Sequence, residues 1–179
     1  MNLKKIILII EEITTTIGNK ISWLVILMTF TAFSVAIFRY FFNIGFVWMQ
    51  EIYIWMNGLI FLLGASYSLL HDKHVRVDIF YRSLNEKYKA YINIIFSVLF
   101  IIPFVFIVSK YSIPYVLKSW FSFEKSREAG GLEFLYLYKT TIILFCFFLF
   151  IQSIALIFRC ILVIKEKEKK IFFKILKKL

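Results

Sequence analysis

The chain has 179 residues, 61% of them apolar, and a mean hydropathy of +0.80. Soluble domains sit near half apolar, and one core of this size cannot hide 22 Phe, 10 Tyr and 4 Trp beside so many aliphatic side chains. The net charge of +11 does not point to nucleic acid, because the basic residues lie between long apolar runs and in the tail rather than on a polar face.

The first twenty residues carry Glu11 and Glu12 and lack a small-residue cleavage site, so they do not read as a secretory signal. Leu3, Ile6, Ile10, Ile13 and Ile17 recur at helical spacing. A surface-lying interfacial helix over 1–20 is expected; the same period also suits a cytoplasmic extension of the first span. Four stretches then lack any charge for about a membrane thickness: 21–38, 52–70, 90–109 and 140–158. Charged or dipolar residues close each one: Lys20 and Arg39, Glu51 and His71, Lys89 and Lys110, Lys139 and Arg159. No alternating strands suggest a barrel, and a helix satisfies its own backbone groups in lipid. The expected fold is an all-α integral membrane protein with one membrane domain over 1–179. Its spans lie near 21–42, 46–70, 90–109 and 140–160.

Residues 71–89 and 110–139 are the substantial loops. The second is aromatic through Phe123, which places part of it among outer headgroups. In the tail at 165–179, Ile171, Phe172, Ile175, Leu176 and Leu179 share one helical face, and five lysines crowd the rest. That pattern suits a basic amphipathic helix on an anionic inner leaflet, and equally a solvated tail. Sixteen Lys and Arg fall on the side holding both termini and the 71–89 loop, against six on the other, so both termini are expected in the cytoplasm.

Little catalytic chemistry is visible. His71 and His74 lie three apart in one loop, with no second pair for haem and too few ligands for structural zinc. Cys146 and Cys160, if helical, stand roughly 21 Å apart along one axis, too far to bridge. No histidine lies near either cysteine in sequence. Ionisable residues are absent at mid-depth, where ion relays usually keep them. The polar groups there, such as Asn57, Asn93, Gln152 and Ser153, suit bonding between helices. No cofactor, metal or catalytic residue is expected.

Two clusters stand out. The first runs Phe38-Arg39-Tyr40-Phe41-Phe42-Asn43 and Trp48-Met49-Gln50-Glu51. Arg39 ends span one and Glu51 begins span two, so a charge pair across this outer turn is expected. Such a surface pair is worth only about 0–1 kcal/mol, and the bland alternative is that each reaches water. On helix two, Glu51, Trp55, Gly58, Leu62 and Ala65 form one stripe whose small residues admit another helix closely. The second cluster is His74-Val75-Arg76-Val77-Asp78 in the inner loop, with Asp78 expected to accept backbone N–H bonds or pair with an arginine.

Together these resemble the small membrane subunit of tripartite ATP-independent periplasmic (TRAP) transporters, the DctQ-like family. The matching features are F-R-Y-F-F-N, W-M-Q-E, L-G-A-S in span two and H-V-R-V-D-I-F-Y after it. Ser119-Trp120, Glu124-Lys125-Ser126, Gly130-Gly131-Leu132, Lys139 and Gln152 follow, over about residues 20–160. The chain departs where such proteins often carry prolines, after Gly131-Leu132 and at the start of span four. The resemblance implies a non-enzymatic accessory subunit in a bacterial inner membrane. Its partners would be a large multi-span permease that carries solute and sodium ions, a periplasmic solute-binding protein and membrane lipids. The solute would be an organic acid. Trp120, Glu124 and Ser126 mark the outer segment expected to meet the binding protein. The competing reading from the spans alone is an independent small oligomeric transporter or channel.

Overall fold

The computed structural model describes residues 3–71 and 84–176, with side chains described over 4–71 and 84–166. α1 (Leu3–Phe41) and α2 (Val47–Leu70) form a hairpin. The third span begins with α3 (Glu86–Phe96), widens into a π-helical turn (Ser97–Ile101) and continues as α4 (Ile102–Phe121). α5 (Leu135–Leu176) is the fourth. Each of the four is long and apolar enough to cross a membrane.

Local chemistry sets the breaks. α1 stops where Asn43 takes φ 54, a left-handed conformation that asparagine tolerates, and the Ile44 N–H reaches back to the Phe38 carbonyl at 3.0 Å. α3 starts at Asn85, whose side chain accepts from the Glu86 N–H. The π turn precedes Pro103. A proline ring collides with the carbonyl four residues back. Here the ladder widens so that the Ile102 N–H bonds the Ser97 carbonyl instead.

Helices run further than the charge-free stretches. α1 passes without a break through Gly18, Asn19 and Lys20, so the expected separate helix over 1–20 is an extension of span one. α4 continues to Phe121 and α5 begins at Leu135, which shortens the outer connection from 110–139 to 122–134. A lysine ends an apolar run but not a helix, since its stem can carry the charge along the helix surface. The tail is continuous with α5 through Leu176.

α5 is the hub. α1 and α2 pack on each other and on α5, while α3 and α4 pack on its other side. Its Cys146, Leu149, Leu156 and Cys160 form a core with Leu69, Ala90, Ile101 and Val105. Both cysteines are free and buried. α1 and α5 run antiparallel, tied by three polar contacts in series. Thr14 Oγ1 donates to Gln152 Oε1 at 3.0 Å, Arg159 meets Glu11 at 3.3 Å, and Lys4 meets Glu166 at 3.6 Å. The start of α1 and the far half of α5 therefore lie at one end of the bundle. The tyrosine ring of Tyr67 on α2 fills the space left by Gly18, where any Cβ would overlap it.

The surface is not that of a soluble protein. It measures 12920 Å², where a compact soluble chain of 21.4 kDa would expose about 9,000 Å². Phe30, Phe33, Phe61, Leu99 and Phe106 are all exposed. Hydrocarbon or a partner helix can cover such groups without the cost that water imposes.

Candidate functional site

The richest polar cluster gathers at the end of the bundle that the charge bias assigns outside, where the connection 122–134 meets α2 and α5. It is built in three parts.

The first is the turn that ends α4. The Phe123 N–H bonds the Trp120 carbonyl at 3.2 Å, and the Glu124 N–H bonds the Ser119 carbonyl at 3.1 Å. This pair defines a Schellman cap, whose left-handed position usually holds glycine. Phe123 occupies it with φ 44, at a cost of about 1–2 kcal/mol. The reversed chain brings Glu124 over the first turns of α5. There its carboxylate accepts from Lys139 Nζ at 2.5 Å. Lys139 is only 9% exposed and also lies 4.2 Å from the centre of the Tyr115 ring. A lysine this buried needs such partners to stay charged. The hydrogen bond from Lys139 holds the Glu124 carboxyl below its usual range, and the nearby Ser119 hydroxyl adds to the effect.

The second part is a clasp. Glu51, in the second turn of α2, accepts from the Leu132 N–H at 2.5 Å and from Ser126 Oγ. Ser126 also receives its own turn, with its N–H on the Leu132 carbonyl at 2.9 Å and its Oγ accepting from the Glu128 N–H at 3.2 Å. Gly130 has φ 77, and a Cβ on Gly131 would sit 2.5 Å from Ser126 Oγ and 2.8 Å from the Glu51 carboxylate. The Glu-Lys-Ser and Gly-Gly-Leu motifs are thus two halves of one loop closed upon Glu51.

The third part is aromatic. Trp55 on α2 stacks on Tyr138 of α5 at 5.0 Å and 6°. One turn along α2, Gly58 leaves room for the Tyr138 hydroxyl end. Trp120 donates from Nε1 to Thr140 Oγ1 at 2.8 Å and meets Tyr136 edge-on at 4.8 Å. Below these groups a cavity of about 680 Å³ opens between α2 and α4.

Seven of the sequence-derived residues meet here: Glu51, Trp55, Gly58, Trp120, Glu124, Ser126 and Lys139. The others lie apart. Arg39 is exposed and forms no ion pair among the described residues. The expected Arg39–Glu51 pair is therefore replaced by Glu51 with Ser126 and Leu132. A backbone N–H in a closed loop and a hydroxyl saturate the carboxylate without ordering a long arginine. Trp48 packs on Phe46, 6.0 Å away. Gln152 lies between α1 and α5 on Thr14. His74, Arg76 and Asp78 fall outside the described residues. Sequence reasoning did not single out Tyr115, Thr140 or Tyr138. Only the placement of Tyr138 beside Lys139 hinted at its part.

The arrangement is a set of internal fasteners. The charges of half-buried Glu51 and buried Lys139 are satisfied within the chain, and this end also exposes Phe121 at the close of α4, Phe123 and Arg127 on the loop, and the Lys125–Glu133 pair at 2.8 Å.

No curated protein and no solved structure matches the chain. The family model described as "Tripartite ATP-independent periplasmic transporters, DctQ component" matches residues 26–163. That match runs from the second half of α1 into α5 and includes the whole outer cluster, well over half of the sequence, and the chain belongs to the DctQ family of TRAP transporter components.

Proposed function

We propose that the chain is the accessory small permease of a sodium-coupled, binding-protein-dependent transporter that takes up an organic acid across the bacterial inner membrane. Both termini lie in the cytoplasm. The subunit braces a large multi-span permease through its exposed apolar spans. Its outer loop helps form the face on which the periplasmic binding protein docks.

One observation carries this reading: the side chains of Glu51, Lys139 and Gln152 bond within the chain, while the apolar surface is left open. Glu51 bonds Ser126 and Leu132, Lys139 bonds Glu124, and Gln152 bonds Thr14. A carboxylate solute and its coupling ions need fixed dipoles or charges to replace water, at several kcal/mol if these are missing. Groups already committed to one another are poor candidates for that task. The π turn of span three exposes no charge of its own. The outer loop supports the docking role because it is fastened at both ends, which lowers the ordering cost of binding a partner.

Deleting this subunit should abolish uptake while the large permease is still made. Alanine at Phe121, Phe123 and Arg127 together should weaken capture of the binding protein by the assembled complex. Unchanged capture with that triple variant would remove the docking role and leave the bracing role standing.

A further inference from the structure

α2 and α4 both lie against α5 yet barely touch one another. At the outer end the space between them is the cavity of about 680 Å³. Its lining changes character with depth. Arg127, Glu124 and Lys118 stand toward the loop, and Leu62 and Ile142 lie at the membrane-ward end.

Three cations and one carboxylate line this space. Lys139 and Glu124 neutralise each other. Lys118 and Arg127 remain, exposed and without an ion-pair partner among the described residues. The same wall holds the Ser119 hydroxyl. Ser119 is 2% exposed, and its hydroxyl lies beside the Glu124 carboxylate without a hydrogen bond of full geometry. The level is that of an interfacial aromatic girdle, with Trp55, Trp120 and Tyr138 around it.

We propose that this gap binds an anionic glycerophospholipid of the surrounding membrane, phosphatidylglycerol in type. Its phosphate sits toward Lys118 and Arg127, and one acyl chain runs past Leu62 and Ile142. The excess of positive charge selects an anionic over a zwitterionic headgroup. The opening lies sideways between two spans, which admits a molecule from the bilayer. The apolar depth gives a free phosphate or an acidic peptide nothing to fill. Bound there, the lipid joins spans two and three, which the protein itself leaves unjoined. The site is independent of the uptake role.

The test uses the full chain, purified in detergent, stripped of lipid and examined by native mass spectrometry. Added phosphatidylglycerol should be retained in preference to phosphatidylcholine with the same chains. The K118Q/R127Q variant should bind it roughly thirtyfold more weakly, at about fivefold per charge removed. K125Q alters a lysine outside the cavity and should bind normally. L62W blocks the apolar end and should lose the lipid with all charges intact. Millimolar inorganic phosphate should not displace it. Equal retention of the two lipids, or undiminished binding by K118Q/R127Q, overturns the proposal. Displacement by inorganic phosphate makes this a soluble-anion site, and displacement by an acidic peptide at equal concentration assigns the cations to a protein partner; either result also overturns it.

Discussion

Replacing Glu51 by Ala removes the acceptor for the Leu132 N–H and the Ser126 hydroxyl in one step. Hydrogen bonds to a charged group contribute about 1.5–3 kcal/mol each. Glu51 is half-buried, so water can take over part of the work, and the lower bound for the pair, roughly 3 kcal/mol, is the fair figure. That free energy sets how often the 126–132 loop springs open. A change of roughly 3 kcal/mol raises the open population about 150-fold. Lys125 and Arg127 put two trypsin sites in or beside this loop. Cleavage tracks the open population when opening and closing are fast relative to cutting. Limited trypsin digestion of the purified protein should then show E51A nicked there on the order of 100 times faster than wild type. E51Q keeps one acceptor oxygen and should fall between. R39A should match wild type, because Arg39 bonds nothing in the clasp. Nicking of E51A within threefold of wild type would refute the clasp, and a fast-nicked R39A would restore the arginine pair.

Three further outcomes follow from the same geometry. Gly131→Ala pushes a methyl between Ser126 and Glu51, so it should release the loop to trypsin as E51A does, whereas Gly64→Ala, at a position open to space, should not. Glu124 has a carboxyl pKa lowered below 4.5 in the folded state, so its contribution is present above that pH and is lost as pH falls through the lowered value. Thermal stability in detergent should drop on acidification below about 4.5, and the drop should be smaller in E124Q. Thr14→Val strips the buried Gln152 amide of its donor, and should lower thermal stability by roughly 1–2 kcal/mol; a neutral Thr14→Val would mean that a partner or water already serves Gln152.

Much of the fold was legible because lipid imposes a crude rule. Long uncharged runs must be helices, and their number and order stand in the structure. The stripe of Glu51, Trp55, Gly58 and Leu62 was legible too, since residues three and four apart share a face. In the structure that stripe meets the loop, Tyr138 and the cavity. What Glu51 bonds was not legible. The pairing with Arg39 was inferred from closeness along the chain, twelve residues away. The true partners lie 75 and 81 residues on, in a loop whose shape depends on Gly130 and Gly131. Helix ends were misjudged at 110–139 because charge was taken as a boundary. Lys139 shows why that fails: it sits inside α5, buried, with a carboxylate and an aromatic ring as neighbours. Pro103 was plain in the sequence, but the ladder can answer a proline by kinking, breaking or widening, and only packing decides among these.

The central claim is that this chain braces a transporter without lending a group to the solute or ion site. The direct test is the sodium dependence of solute uptake by the reconstituted complex carrying Asn57→Ala, Asn93→Ala or Gln152→Ala singly. With assembly verified in each case, the half-saturating sodium concentration should stay within about twofold of wild type, a change of less than roughly 0.5 kcal/mol. A tenfold or larger shift from any one of them, with the complex intact, would place the coupling chemistry inside this subunit and contradict the account.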